Sequence, residues 1–332
     1  MKNKRMIKTL KIMAAVLVLL CMMAGCAGKM QEEATGLVRV GSLKGPTSMG
    51  LLVLMEEDQK GEVEGAYEFT MTTQADELLP LMVKGELDIA LVPANVAAVL
   101  YQRMEGELAV IDINTLGVLY MVTGDDSIKS VEDLKGRTIY LTGKGTTPDY
   151  VLHSILEGNN IAANDYTLEY KSEATEVAAL LAQNPDAVGL LPQPFVTAAC
   201  MQNTALSVVL DMNEEWEKLQ GEVGSRMVTG VTVVRKAFLK EHEEAITQFL
   251  KEHKESVDAI NADPAKGAAL AVEAGIVAKE PIAQKAIPAC NISYIDGEEM
   301  KQALSGYLKV LVEQNPESVG GALPTDDFYY IP

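Results

Sequence analysis

At two places in this chain, hydroxyl side chains stand where a strand-like run gives way to a helical pattern. Thr47 and Ser48 follow Ser42-Leu43-Lys44-Gly45-Pro46, and Thr146 and Thr147 follow Gly143-Lys144-Gly145. Helix N-termini carry unpaired backbone N–H groups and a partial positive charge, so hydroxyls there can help hold an anionic or strongly polar group. Each of the four also fits plain helix capping. Lys44 and Lys144 would add charge for an anion, although loop lysines are ordinarily just solvated.

Two more turns of the same kind are Pro93-Ala94-Asn95 and Pro192-Gln193-Pro194-Phe195. Ligands in open α/β sheets sit beyond the carboxyl ends of the strands, where such loops enter helices. The expected ligand-binding set is therefore Lys44, Pro46, Thr47, Ser48, Ala94, Asn95, Tyr120, Thr146, Thr147, Gln193 and Phe195. Tyr120 and Phe195 would supply apolar walls or a stacking face, or else pack in the core. Asn291 is placed at the rim of the same cleft.

Catalytic groups are sparse. Of the three histidines, His242 and His253 fall among charges on KEHEEAITQFLKEHKES and are expected to be solvated, and His153 lies in the helix after Thr147. No HExxH, CxxC or G-x-S-x-G occurs, and Asp125-Asp126 fits a turn. The Gly143–Gly145 turn lacks the phosphate-loop spacing, so nucleotide binding is not expected. No cofactor, no metal site and no enzymatic activity are expected.

The amino terminus carries a different chemistry. MKNKRMIKTLK holds five bases and no acid, and the apolar run from Ile12 to Ala24 leads through Met23-Ala24-Gly25 into Cys26. That run is short for a membrane span and has the form of a secretory signal. The motif resembles the bacterial lipobox, with Met23 in place of the usual leucine, which implies that Cys26 is diacylated. Two acyl chains, at about 0.8 kcal/mol per buried methylene, make a stable membrane anchor. The expected location is extracytoplasmic, held at the cell membrane through Cys26.

With the leader bases removed, 23 Lys and Arg face 47 acids, a formal charge of −24. Such a surface argues against nucleic acid as a partner. Cys200 and Cys290 remain as a possible disulfide, with two buried free thiols the preferred reading.

Positioning these loops requires alternating strands and helices. Strands are expected at 37–41, 67–72, 88–92, 109–113, 116–122, 138–142, 167–171, 187–191, 205–210 and 227–234, with helices between them. After Val234 the pattern is nearly all helix. About 300 residues suit two lobes better than one core. The expected division is a signal at 1–25, a tether at 26–36, a first lobe at 37–122 plus 230–332, and a second at 123–229. Crossings near Tyr120–Thr123 and Gly230–Val234 would form a hinge, the sheets would be largely parallel, and Trp216 would pack on the second lobe's surface.

Four segments resemble the nitrate, taurine and sulfonate binding proteins (the SsuA/THI5-like, NMT1-like group) of ABC importers: LYMVTGDDSIKSVEDLKGRTIYLTGKGTTPDYVLHSIL, ELDIALVPANVAAVL, DAVGLLPQPFVTAA and VTVVRKAFLKEHEEAITQFL. In order, they span most of residues 37–320. The resemblance implies an α/β periplasmic binding protein-like fold, doubly wound in each lobe, and a small-molecule ligand in the interlobe cleft. It also implies ABC permease and ATPase subunits as partners. Sulfonates, nitrate and pyrimidine or vitamin precursors are the implied ligand classes. Gln193 stands where the group usually has an acid, and the CCCFC-like segment of related pyrimidine-forming proteins is missing. A lipid-anchored sensor domain and a pyrimidine-synthase-like enzyme are the alternatives on this fold.

Overall fold

The computed structural model describes residues 37–332, apart from Gln74 and the side chains of Ala75 and Asp76. The chain runs β1 (Val38–Leu43), α1 (Pro46–Met49), α2 (Leu52–Lys60), β2 (Tyr67–Thr72), α3 (Ala75–Lys84), β3 (Ile89–Pro93), α4 (Ala94–Arg103) and β4 (Leu108–Leu116). It continues through β5 (Leu119–Thr123), β6 (Thr138–Thr142), α5 (Thr147–Gly158), β7 (Thr167–Lys171), α6 (Ala174–Gln183), β8 (Val188–Pro192), α7 (Phe195–Gln202), β9 (Ser207–Asp211) and α8 (Met212–Gln220). The remainder is β10 (Val228–Arg235), α9 (Lys236–Glu241), α10 (Glu243–Ala262), α11 (Pro264–Glu273), α12 (Glu280–Ala286), β11 (Ile292–Ile295) and α13 (Gly297–Gln314).

The strands form two sheets, one of six in the order β11-β4-β10-β3-β1-β2 and one of five in the order β7-β6-β8-β5-β9. Helices cover the central strands, and β3 buries Ile89, Ala90, Leu91 and Val92 on both faces. An unbroken apolar run is what a strand buried on both faces requires. α13 buries Met300, Ala303, Leu304, Tyr307, Leu308 and Leu311, a stripe at helical spacing. Each large member contributes about 1.5–3 kcal/mol of burial.

Several expectations need correction. The sheets are mixed: β1 is parallel to β2 and β3, and β6 to β7 and β8, but β10 runs antiparallel to β3 and β4, and β5 antiparallel to β8 and β9. β5 and β10 are the strands by which the chain changes sheet. β5 belongs wholly to the second sheet and β10 to the first, so the passages between sheets lie at Gly117–Val118 and between Asp211 and Val228. They were expected within β5 and β10. An eleventh strand, β11, joins the first sheet beside β4 inside the region read as helix.

Trp216 is only 1% exposed, with its ring 5.3 Å from that of Tyr307 on α13. It is therefore internal and not on a surface. His253 is also internal, 0% exposed, with Nδ1 3.3 Å from Asp112 Oδ2 and its ring stacked on Phe249. Both cysteines are free, Cys290 buried and Cys200 half-buried. Among the described residues no helix is long and apolar enough to cross a membrane. The signal, the tether and Cys26 lie outside the described residues.

Candidate functional site

A cavity of about 340 Å³ opens between the two sheets. From the first sheet it takes Pro93 at the end of β3, Asn95 and Val96 at the start of α4, and Met227 and Thr229 at the entry to β10. From the second it takes Leu119 of β5, Pro192 ending β8, and Thr146, Thr147 and Pro148 at the start of α5. Val118, in the link between the sheets, completes the wall.

The turn before α5 explains why its residues face this space. Gly143 and Gly145 hold φ of 76° and 70°, a region that glycine enters at little cost. Between them the chain reverses, so that Thr146 becomes the N-cap residue. Its Oγ1 donates to the Gly143 carbonyl at 2.6 Å and does not cap the helix. Asp149, in the first turn, ties the preceding loop to the helix: it accepts from the Gly145 N–H at 2.8 Å and from Tyr170 Oη at 2.6 Å, with His153 Nε2 3.3 Å away.

Across the cavity, Thr147 Oγ1 donates to Asn95 Oδ1 at 3.4 Å, and Asn95 Nδ2 reaches the Ser318 carbonyl at 3.5 Å. A second tie joins Asn315 Nδ2 to Tyr150 Oη at 2.8 Å. Tyr307 Oη is buried without a hydrogen-bond partner of good geometry, although Thr147 stands close enough to act on it. Burial pushes the Tyr307 phenol well above its ordinary pKa.

Of the expected ligand residues, Asn95, Thr146 and Thr147 line the cavity. The others lie elsewhere. Thr47 and Ser48 both donate to the Leu43 carbonyl, and the Thr47 methyl packs where Gly230 leaves no room for a Cβ. Pro46 opens the four-residue α1. Lys44 is exposed beside Gly275, and Lys144 Nζ sits 5.3 Å over the Tyr170 ring. Ala94 is buried in the core.

Tyr120 is buried, donating to the Ala289 carbonyl at 2.8 Å, and burial raises its phenol pKa. Gln193 is buried with Oε1 accepting from Thr197 Oγ1 at 2.8 Å, and Phe195 packs half-buried around Tyr120 and Val196. Asn291 donates to the Gly117 carbonyl, at the link between sheets.

Beyond the prolines at 93, 148 and 192, Val96, Val118, Leu119, Met227 and Thr229 line the cavity outside the expected set. Four of the five are apolar and resemble core positions when read in sequence. For Val118, Leu119, Met227 and Thr229 the signal is their place at the two passages between sheets. Among the described residues no cluster of three or more His, Cys, Asp and Glu side chains could hold a metal ion.

The family model described as menaquinone biosynthesis matches residues 46–313. The chain belongs to that family.

Several solved structures share this chain's fold. An ABC transporter protein from Parabacteroides distasonis is 24% identical with a TM-score of 0.73, covering 89% of this chain and 98% of its own. The periplasmic aliphatic sulphonate binding protein SsuA from Escherichia coli is 15% identical with a TM-score of 0.70, covering 89% and 97%. The alkanesulfonate-binding SsuA from Xanthomonas axonopodis pv. citri, bound to MOPS, is 13% identical with a TM-score of 0.62, covering 89% and 98%. At these identities the likeness is one of fold, the periplasmic binding protein type that the four sequence segments resemble. No curated protein matches the sequence.

Proposed function

We propose that this family member is an extracytoplasmic solute-binding lipoprotein, anchored through Cys26, that captures a small molecule between two lobes and presents it to the permease of an ABC importer. One lobe would be the six-stranded sheet with its helices, the other the five-stranded sheet. The observation that carries the reading is the cavity bounded by both sheets, with Thr147 and Asn95 meeting across it. A ligand touching both walls binds the closed form better than the open one and shifts the population towards it.

A second reading, an enzyme, is favoured by the family's description as biosynthetic. General acid–base chemistry needs a titratable side chain within reach of the reacting atom. The lining comprises proline, valine, leucine, methionine, threonine and asparagine, which supports capture over conversion.

Equilibrium dialysis of the full chain against a broad panel of small molecules, with mass analysis of what is retained, separates the two. Recovery of a stoichiometric, unaltered ligand supports solute capture. A chemically changed product at many turnovers per chain would overturn it.

A further inference from the structure

We infer that the cleft takes an uncharged, largely apolar small molecule with one or two hydrogen-bonding groups, and not a sulfonate, carboxylate or nitrate. The inference rests on the solute-binding reading above and specifies its ligand class.

The walls carry the first argument. Val96, Val118, Leu119, Met227 and the prolines at 93, 148 and 192 are apolar, and no lysine, arginine or histidine stands among the lining residues. Withdrawing an anion from water into such a space is costly unless a cation or several donors meet it. Basic side chains near the lining in sequence are engaged elsewhere, Arg226 with Glu299 at 3.0 Å and Lys144 over the Tyr170 ring.

Helix ends carry the second. α4 begins in one wall with neither a side-chain cap nor an acid in its first turn, whereas α5 points its N-terminus at the cavity with the buried Asp149 carboxylate in its first turn, accepting from the Gly145 N–H. A second negative charge there would be repelled by the first. Two of the three lining hydroxyls are also committed, Thr146 to the Gly143 carbonyl and Thr147 to Asn95.

A modest polar handle remains. Asn95 Nδ2, in the wall, makes only a long 3.5 Å contact with the Ser318 carbonyl. A ligand hydroxyl or amide could engage this group without bringing charge. At about 340 Å³ the space is near the lower end of ordinary small-molecule pockets, the size for a single ring system or a short branched chain.

The test is calorimetric titration and thermal shift of the full chain with matched pairs: benzamide and benzyl alcohol against benzoate and benzenesulfonate, with taurine and nitrate alongside. The expected result is binding of the neutral members at least tenfold tighter than their charged counterparts, abolished in Val118→Trp, which fills the cavity. Val96→Trp closes the same space from the other wall and serves if Val118→Trp fails to fold by circular dichroism.

Equal or tighter binding of benzenesulfonate or benzoate, lost in the same variants, would overturn the ligand class while leaving solute binding intact. Neutral binding that persists in both filled variants would place the site elsewhere and overturn the inference. Silence of every probe, neutral and charged, counts against the solute-binding reading itself and takes the inference with it.

Discussion

Thr147 Oγ1, at the start of α5, lies 3.4 Å from Oδ1 of Asn95, at the start of α4, so the two helix beginnings meet across the cavity. Each side chain follows the carboxyl end of a central strand in a different sheet. Any ligand between the sheets must pass or exploit this contact. Asn95→Ala removes both the acceptor for Thr147 and the amide donor beside the cavity. We expect it to weaken ligand binding roughly tenfold, about 1.4 kcal/mol, measured by calorimetry with whichever ligand dialysis identifies. Unchanged affinity would move the site away from this pair.

Thr47→Ala is the contrasting variant. Thr47 packs against Gly230 and donates to Leu43, outside the cavity lining. The expected effect is a loss of about 1 kcal/mol in stability from the lost methyl, with affinity unaltered. Thermal melts and titration on one preparation check both halves.

Asp88 governs the acid limit of the first sheet. Its carboxylate is 0% exposed and receives Arg39 Nε at 2.8 Å, Arg39 Nη2 at 2.6 Å and Arg235 Nη2 at 2.6 Å, tying β1 to β10. Burial alone would raise its pKa, but hydrogen bonds from the two guanidiniums outweigh burial and hold it below the usual carboxylate range. A carboxylate depressed in the folded state stabilises fully above its unfolded pKa of about 3.9 and loses that contribution as pH falls through the lower folded value. Asp88→Asn should cost about 3 kcal/mol at neutral pH, because it leaves two arginines unpaired. It should also flatten the fall in stability below about pH 4, as read by denaturant titration across pH.

The two lobe cysteines should differ in reactivity. Burial pushes the Cys290 thiol up to about 12 and also raises that of half-buried Cys200, with Lys285 acting in the opposite direction. Only the thiolate is nucleophilic. Iodoacetamide at pH 8, followed by peptide mapping, should label Cys200 slowly and Cys290 only after unfolding. Equal labelling in the native state would contradict the packing around β11.

Cys26→Ala should abolish metabolic labelling with palmitate and release the chain from the membrane fraction. Labelling that persists would refute acylation at that residue.

Strands 67–72, 138–142 and 167–171 were read to their limits because each is a short β-rich run with turn residues close by. β11 escaped, since four residues, Ile-Ser-Tyr-Ile, between helices give too few alternations to register. His253 was read as solvated because Lys251, Glu252, Lys254 and Glu255 surround it. Yet it follows Ile246 by seven positions and Phe249 by four, and helical period places it on the buried stripe. The rule that ligands gather at strand carboxyl ends points to Asn95, Thr146 and Thr147, which stand in the cavity wall. It had no purchase on Val118 or Met227, whose place in the cavity follows from how two sheets are joined and not from any local pattern.

Trp216 is the chain's single tryptophan, and its indole is buried between α8, which accompanies the second sheet, and Tyr307 of α13, which packs on the first. Its Nε1 is fixed at 3.2 Å from Ser225 Oγ, just before β10 returns to the first sheet. Any rotation that parts the sheets must draw this ring away from its aromatic neighbour and towards water. The single tryptophan thus stands where the solute-binding reading puts the joint, so that a shift in its emission on adding ligand would report an opening without a label.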